Sequence, residues 1–458
     1  MFVGRQSELS VLQELYDSGQ AELFVLYGRR RVGKTELLQQ FCEGRRAIYF
    51  MAAQVREKDN LRAFRDALRE GLGDPLLEGI EFPDWDTALG FAAERTGDER
   101  LVLVLDEFPY LCESSKGLTS QVQRFWDTRG KRSQLMLVLC GSQVSFMEKE
   151  VLAEQSPLFG RRTGQRQLEP LEPHEALSFF DNWSVEDSIL AYAMVGGMPA
   201  YLRRFNDKLT LEENILREVL RPEGYLFEEV QFLLRTEFAS PATYNSLLAA
   251  VARGEERVGD IALSVGVDST TANKYLSVLR ELRLVAREIP ITDPDPLRSR
   301  RGRYRIADRF LAFHFRHLQP HLSLIHAGRG ARVLEQFVRP DYDRLYDEAR
   351  SQFVLSHLAR LGAELVEEEI VEVGRHSGEF VRAVGRTAEG HTVAAVVVPE
   401  NAGGNENKGG EASTAGLIDE LAQLEKVFGE SPIKLVYGLT SRKDRPLEVE
   451  RVPAGELL

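Results

Sequence analysis

The chain has 458 residues, of which 43% are hydrophobic and 28% are charged, and its formal net charge is −13. This length exceeds that of one compact core and predicts several domains, and the composition excludes a disordered or fibrous protein. The negative charge argues against a protein that coats nucleic acid with its whole surface, because such binding requires basic side chains to neutralise phosphates.

Four short apolar runs divide the first part of the chain. They begin at Leu23, Ala47, Leu101 and Leu135, and helical patterns separate them. Continuous apolar runs are typical of strands that helices cover on both faces. We therefore predict an α/β fold with a parallel sheet in residues 1–168.

The turn after the first of these strands carries the strongest motif. Residues 28–35 have the sequence GRRRVGKT, which matches GxxxxGK[ST], and a helical pattern follows them. Such a phosphate-binding loop (P-loop) wraps phosphates with backbone N–H groups at a helix N-terminus. Lys34 would neutralise the β- and γ-phosphate oxygens, and the Thr35 hydroxyl would ligate Mg²⁺. The predicted nucleotide-binding residues of this motif are Gly28, Arg29, Arg30, Arg31, Val32, Gly33, Lys34, Thr35 and Glu36.

Two carboxylates follow the third apolar run. Asp106 and Glu107 stand at the carboxyl end of a buried strand, which is the edge where doubly wound sheets bind ligands. Asp106 is the predicted metal ligand beside Thr35. Glu107 is the predicted catalytic base that polarises the attacking water. Together with the P-loop, the pair predicts ATP and Mg²⁺ as the cofactors.

Two further segments hold weaker catalytic candidates. Ser142 or its neighbour Gln143 could reach the γ-phosphate from the end of the fourth strand, although ordinary turn residues explain the same pattern. Arg161 and Arg162 are adjacent on a loop before a further strand. One of them could act as an arginine finger, and solvation at the surface is an equal alternative. A finger that acts in trans would require a dimer or a ring.

Accessory domains are predicted after the sheet. Helical patterns dominate residues 169–225, which we interpret as a helical lid. Residues 226–325 contain two short helices around Gly266, the second capped by Asp268 or Ser269, and then a hairpin with an arginine-rich loop. This order is typical of a winged helix-turn-helix domain.

The second of these two helices presents a polar face. Residues 253–317 contain 13 basic and 9 acidic side chains, against the acidic balance of the whole chain. DNA contact is therefore one hypothesis, and a rigid interdomain or protein-binding module is the alternative. The residues predicted to point outward are Thr270, Thr271, Asn273, Lys274, Ser277 and Arg280.

Several motifs together resemble the archaeal-type ATPases, a branch of the AAA+/STAND P-loop proteins. The motifs are the segments 2–9, 28–35, 105–108, 140–142, 157–161 and 196–202. The resemblance implies an adenine site lined by Val3, Gly4 and Arg5, with Pro199 contacting the base from the lid. ATP is expected rather than GTP, because the sequence has no NKxD motif for guanine.

Residues 330–458 resemble the DUF234-like domain often appended to these ATPases, which is related to the PD-(D/E)XK nucleases and has their restriction-endonuclease-like α/β fold. Such a nuclease requires an acid on one strand and Glu-x-Lys on the next. The candidate strands are residues 378–382 and 396–400. Val381 stands at the acid position of the first, no lysine follows the second in register, and Glu348 could be a remnant. With 23 acidic and 15 basic residues from 331 to 458, this region is also poorly suited to grip DNA. We expect a degenerate domain that does not cleave DNA.

The sequence as a whole predicts a magnesium-dependent ATPase whose nucleotide state rearranges the lid, the winged helix and the C-terminal domain. The alternative is a nucleotide-gated regulatory or DNA-binding protein with negligible turnover. A cytoplasmic location without membrane association is expected, because no signal-peptide pattern or long apolar run is present. Whether the chain binds a protein partner and whether it forms a homo-oligomer both stay open.

Overall fold

The computed structural model divides the chain into two compact units. It describes residues 2–238, 240–291, 293, 295, 298–299, 301–376, 378–397, 409–439, 447–454 and 456. The first unit contains Met1–Leu171 and Met198–Ala200, and the second contains Glu172–Gly197 and Tyr201–Leu458. No helix in these described ranges is long and apolar enough to cross a membrane. The boundaries of the four domains stay a prediction.

The first unit is built on a parallel sheet of five strands in the order β2-β3-β4-β1-β5. The strands are β1 Glu22–Tyr27, β2 Ala47–Met51, β3 Leu101–Asp106, β4 Leu135–Gly141 and β5 Gly164–Gln167. The helices are α1 Gln6–Asp17, α2 Lys34–Cys42, α3 Glu57–Leu72, α4 Trp85–Glu94, α5 Phe108–Ser114, α6 Leu118–Thr128 and α7 Val144–Phe146. Every residue of β1, β3 and β4 is buried, and the predicted parallel α/β sheet is confirmed.

The carboxyl ends of these strands bring the predicted motifs together. Tyr27 at the end of β1 pairs with Gly141 of β4, and Asp106 at the end of β3 pairs with Met51 of β2. Because all five strands are parallel, the P-loop, the two carboxylates and Ser142 follow their strands at the same edge of the sheet. This edge is the candidate site.

The second unit begins with helices in the region where the sequence predicts them. They are α8 Pro173–Leu177, α9 Val185–Val195, α10 Pro199–Leu202, α11 Leu211–Glu218 and α12 Glu229–Glu237. The first residues of α10 belong to the first unit. Their role as a lid stays a prediction.

Three helices and a hairpin follow, and the last two helices and the hairpin stand in the predicted order. They are α13 Pro241–Ala252, α14 Val258–Val265, α15 Ser269–Glu281, β6 Val285–Glu288 and β7 Arg303–Ile306. The Asp268 carboxylate caps α15 by accepting the Thr271 N–H at 2.9 Å. Gly266 ends α14 with a φ of +77°, a left-handed conformation that glycine adopts without strain. Ala272, Leu276 and Leu279 are the buried side chains of α15.

The remainder of the second unit packs helices against a mixed sheet in the order β12-β11-β10-β9-β8. Its elements are α16 Arg309–Phe313, α17 Leu322–His326, α18 Gly330–Val333, α19 Tyr342–Val366, β8 Ile370–Arg375, β9 Val381–Thr387, β10 Thr392–Val397, α20 Gly409–Phe428, β11 Ile433–Leu439 and β12 Leu447–Val452. β10 and β11 are parallel, and the other neighbouring pairs are antiparallel.

The two candidate strands proposed from the sequence, 378–382 and 396–400, differ in detail from β9 and β10. β9 begins at Val381 rather than at residue 378, because the backbone N–H groups of residues 379–381 donate to the carboxylate of Glu420 on α20. β10 begins at Thr392 and ends at Val397, and the predicted strand end at residues 398–400 lies outside the described residues.

Candidate nucleotide site

The P-loop connects β1 to α2, and its two glycines are required by its shape. A Cβ added to Gly28 would lie 2.5 Å from the carbonyl oxygen of Leu168, a separation that real structures essentially never show. Gly33 has a φ of +94°, which disfavours every residue that has a Cβ. The loop therefore turns tightly beside the end of β5 and delivers Lys34 and Thr35 to the first turn of α2.

Lys34 lies inside the loop rather than in solvent. Its ammonium Nζ donates to the carbonyl oxygens of Gly28 at 2.8 Å and Arg29 at 3.0 Å, and the residue is 6% exposed. Burial lowers the pKa of Lys34, and nearby acidic groups oppose that shift. The ammonium thus occupies the concave side of the loop, where a P-loop lysine meets phosphate oxygens.

Arg5 braces the P-loop from outside. Its Nη2 donates to the carbonyl oxygens of Val32 at 3.0 Å and Glu169 at 2.6 Å, and its Nη1 donates to Glu8 at 3.2 Å. Arg5 is only 4% exposed. The structure therefore gives Arg5 a role in holding the loop, which the sequence did not suggest. The adenine site predicted from Val3, Gly4 and Arg5 stays a prediction.

Asp106 lies beside Thr35, as the predicted metal site requires. The Thr35 hydroxyl donates to Asp106 Oδ2 at 3.1 Å, and the backbone N–H of Glu107 donates to Asp106 Oδ1 at 2.9 Å. The Tyr49 hydroxyl on β2 also donates to Oδ2. Tyr49 is a site residue that the sequence analysis missed. A tyrosine on an edge strand belongs to no motif, and the register that places it beside β3 is visible only in the fold.

Glu107 and Ser142 are in direct contact. Ser142 Oγ donates to Glu107 Oε2 at 2.8 Å, and Ser142 is 2% exposed. Glu107 has a φ of +54°, an uncommon backbone conformation for a residue with a side chain. Of the two residues proposed at the end of the fourth strand, Ser142 therefore faces the carboxylate. Gln143 instead donates to Glu113 at 3.3 Å in an exposed position.

An open cavity of about 280 Å³ lies above the P-loop. Its lining supplies cations that suit phosphates together with oxygen ligands of the kind that Mg²⁺ prefers. The Arg30 guanidinium at its rim donates to the Tyr110 hydroxyl at 2.6 Å. The donor set thus fits a nucleotide phosphate chain with a divalent ion. The lining residues are Arg30, Arg31, Gly33, Lys34, Thr35, Glu36, Gln39, Glu107 and Ser142.

Pro199 is brought to the same site, whereas the two candidate finger arginines are not. A Cβ on Gly33 would lie 3.6 Å from the Pro199 ring, and both residues belong to the first unit. Arg161 pairs with Asp127 at 2.9 Å, and Arg162 donates to a backbone carbonyl at 2.9 Å.

The two arginines precede β5, whose first residue Gly164 pairs with Phe24 of β1. Phe24 stands three residues before Tyr27, so the start of β5 lies roughly 10 Å from the P-loop edge of the sheet at the usual rise of a strand. The two arginines therefore precede the end of β5 that is farther from the P-loop, and the finger role of Arg161 or Arg162 stays a prediction.

The site combines a lysine inside a glycine-bounded loop, a hydroxyl against a buried carboxylate and a second carboxylate beside it. Together these features define the nucleotide site of a P-loop ATPase. Residues 2–205 match the model of a family described as an ATPase domain predominantly from Archaea. The chain is also 35% identical over 328 residues to the protein MJECL04 of Methanocaldococcus jannaschii, and the alignment covers 72% of this chain and 71% of that protein. The chain therefore belongs to the family of archaeal-type ATPase-domain proteins.

Two further similarities agree with this family. A 46-residue segment is 48% identical to the ATP-binding protein MJ0423 of the same organism, covering 10% of this chain and 78% of that protein. The solved structure of the Walker-type ATPase PABY2304 of Pyrococcus abyssi has a TM-score of 0.51 and 21% identity to this chain, covering 69% of this chain and 96% of that one. At this identity the second similarity supports the fold alone.

Proposed function

We propose that this chain binds ATP with Mg²⁺ and hydrolyses the bond to the γ-phosphate. The observation that carries the proposal is the hydrogen bond of 3.1 Å from Thr35 to Asp106, with Glu107 directly after Asp106 and Lys34 directly before Thr35. Thr35 and Asp106 would hold the ion, which neutralises charge on the phosphate oxygens when bound. The phosphate chain would lie in the cavity of about 280 Å³.

Each side chain of the site has a proposed task. Lys34 exchanges its two carbonyl partners for β- and γ-phosphate oxygens, which are stronger acceptors because they are charged. Glu107 orients the attacking water and takes up its proton. Ser142 donates a hydrogen bond to Glu107 in this structure, so it lies beside the proposed base. It would donate to the γ-phosphate instead when the nucleotide is bound.

Steady-state ATPase assays of the wild type and of Glu107→Gln test the proposal. Removal of a general base should lower turnover by roughly 10²- to 10⁴-fold while nucleotide binding is retained. Glu113→Gln is the matched control, because Glu113 is an exposed glutamate on the adjacent helix α5. Equal turnover of the wild type and Glu107→Gln would show that Glu107 is not the base.

The proposal includes a coupling between the nucleotide and the second unit. Pro199 lies beside Gly33 in the first unit, and Gly196 packs against Arg309 in the second, where a Cβ on Gly196 would lie 3.3 Å from the Arg309 side chain. Arg309 in turn pairs with Glu348 of α19 at 3.3 Å. Only two residues separate Gly196 from Pro199, so a movement of the P-loop is passed directly along the chain.

Hydrogen exchange measures this coupling. Backbone exchange in α16 and α19 should differ between the ADP complex and the complex with a non-hydrolysable ATP analogue. Identical exchange in the two complexes, both saturated with nucleotide, would reject the coupling and leave the hydrolysis proposal intact.

DNA binding by the segment from α13 to β7, which we propose as a winged helix, is a second candidate function. The observation that favours it is the outward face of α15, where Thr270, Asn273, Lys274 and Arg280 are all exposed. The hairpin is less available than the sequence suggested, because Arg303 pairs with Glu256 and Arg305 pairs with Glu288. Two of the hairpin arginines are thus already neutralised.

Filter binding of duplex DNA across a salt series tests this candidate. Phosphate contacts make the affinity fall as salt rises, and Lys274→Ala with Arg280→Ala should reduce both the affinity and its salt dependence. An affinity that does not respond to salt, or no binding, rejects the DNA proposal and favours a protein-binding module.

The C-terminal domain is proposed to be non-cleaving. Val381, at the position where a nuclease of this kind has its acid, is fully buried, and the Glu420 carboxylate accepts the N–H groups that begin β9. Glu348, the suggested remnant, pairs with Arg309, Arg316 and Arg344. Intact plasmid after incubation with Mg²⁺ or Mn²⁺ is the expected result, and cutting would contradict the proposal.

A further inference from the structure

The carboxylate of Asp106 is surrounded by hydrogen-bond donors. It is 2% exposed and accepts three hydrogen bonds, at Oδ2 from Thr35 Oγ1 at 3.1 Å and from the Tyr49 hydroxyl, and at Oδ1 from the Glu107 backbone N–H at 2.9 Å. An ionised carboxylate offers about four lone-pair sites. Two of these sites belong to Oδ2, and Thr35 and Tyr49 use both, so an ion that takes Oδ2 as a ligand must displace one of these two donors.

Tyr49 is the donor that can leave. The Glu107 N–H is fixed by the backbone and donates to Oδ1, and Thr35, in the first turn of α2, is itself a proposed ligand of the ion. Tyr49 lies on β2 at the edge of the sheet and is partly exposed. Met51, two residues further along the same face of the strand, is 55% exposed, so the phenol ring has solvent beside it.

The hydrogen bond of Tyr49 also ends on the oxygen of Asp106 that faces Thr35. Tyr49 and Thr35 donate to the same oxygen, Oδ2. Thr35 is the proposed second ligand. An ion held between Thr35 and Asp106 thus meets the lone pair that Tyr49 now uses.

We propose that Tyr49 is a positioning residue that caps the metal-facing oxygen of Asp106 in the nucleotide-free site and withdraws from it when Mg²⁺ enters. This inference rests on the proposed function, since it assumes that Thr35 and Asp106 hold the ion. The inference predicts the direction in which the affinity for Mg²⁺ changes when the Tyr49 hydroxyl is removed. A hydrogen bond present only in the metal-free state favours that state, so its removal should make Mg²⁺ bind more tightly, by roughly tenfold for a hydrogen bond to a charged group.

The test is the Mg²⁺ dependence of nucleotide affinity, which requires no turnover. Fluorescence anisotropy of a labelled, non-hydrolysable ATP analogue is measured over a series of free Mg²⁺ concentrations for the wild type, Tyr49→Phe and Tyr16→Phe. Tyr16 is a partly buried tyrosine on α1 whose ring packs on Phe41, so its substitution is the matched control. The Mg²⁺ midpoint should fall about tenfold for Tyr49→Phe and stay unchanged for Tyr16→Phe.

The outcomes separate this inference from the function on which it rests. A wild type that responds to Mg²⁺ together with an unchanged or higher midpoint for Tyr49→Phe overturns the role of Tyr49 and leaves the metal site in place. A wild type whose nucleotide affinity ignores Mg²⁺ overturns both. Thermal unfolding gives a second measurement, because Mg²⁺ with the analogue should raise the melting temperature of Tyr49→Phe more than that of the wild type.

Discussion

Arg5→Ala should loosen the P-loop although Arg5 is far from the loop in sequence. The substitution removes the hydrogen bonds of 3.0 Å to Val32 and 2.6 Å to Glu169, and it leaves Glu8 without its buried partner. Hydrogen bonds from a charged donor contribute roughly 1.5 to 3 kcal/mol each, so the loss of two should lower the free energy of unfolding by about 3 to 6 kcal/mol. Nucleotide affinity should fall as well, because the loop is no longer held in its binding conformation.

Urea unfolding and nucleotide titration of the same preparations measure both effects. Arg166→Ala is the control, since Arg166 is 44% exposed and approaches the same Glu8 only to 3.9 Å. It should change the free energy of unfolding by less than about 0.5 kcal/mol. Arg5→Lys should recover only part of the loss, because a lysine cannot reproduce the fork of donors. Stability of Arg5→Ala within about 0.5 kcal/mol of the wild type would refute the bracing role.

Three further substitutions follow from the described contacts. Gly28→Ala should abolish nucleotide binding in a calorimetric titration, since the new Cβ would lie 2.5 Å from the Leu168 carbonyl oxygen, and unchanged affinity would contradict the tight turn. Glu420→Ala should lower the free energy of unfolding in urea by roughly 2 to 4 kcal/mol, because three backbone N–H groups lose their acceptor. Glu425 is an exposed glutamate on the same helix, and Glu425→Ala should leave that free energy unchanged. Burial lowers the pKa of His314 from 6.5 to about 4, so between these values the unfolded chain binds a proton that the folded chain does not. The free energy of unfolding should therefore decrease as the pH falls from 6.5 to 4. In urea unfolding, His314→Leu should show a weaker dependence of this free energy on pH than the wild type, and an unchanged dependence would contradict the reasoning.

The sheet and its ligand-binding edge were predictable because they depend on patterns that are local in sequence. Four continuous apolar runs predict buried strands, and the glycines, the lysine and the hydroxyl of the P-loop are consecutive. Asp106 and Glu107 could be placed because they follow a strand directly. Ser142 could be placed by the same argument, and its contact with Glu107 shows that parallel strands bring such residues to one edge.

The missed contacts join residues that are distant in sequence and belong to no motif. Arg5 reaches Glu169 across 164 positions, and Tyr49 reaches Asp106 across 57. Glu420 reaches the start of β9 from a helix that is 41 positions away from Glu379. In each case the residue type alone is compatible with a solvated surface, and only the strand register or the helix packing selects the partner. The start of β9 was misplaced for the same reason.

Calorimetric titration of the wild type and of Lys34→Ala with a non-hydrolysable ATP analogue and Mg²⁺ tests the central claim most directly. The account predicts a saturable binding heat for the wild type that Lys34→Ala loses, since Lys34 is the cation inside the loop. Equal heats for the two proteins, or no heat with either, would contradict a phosphate-binding site at residues 28–35.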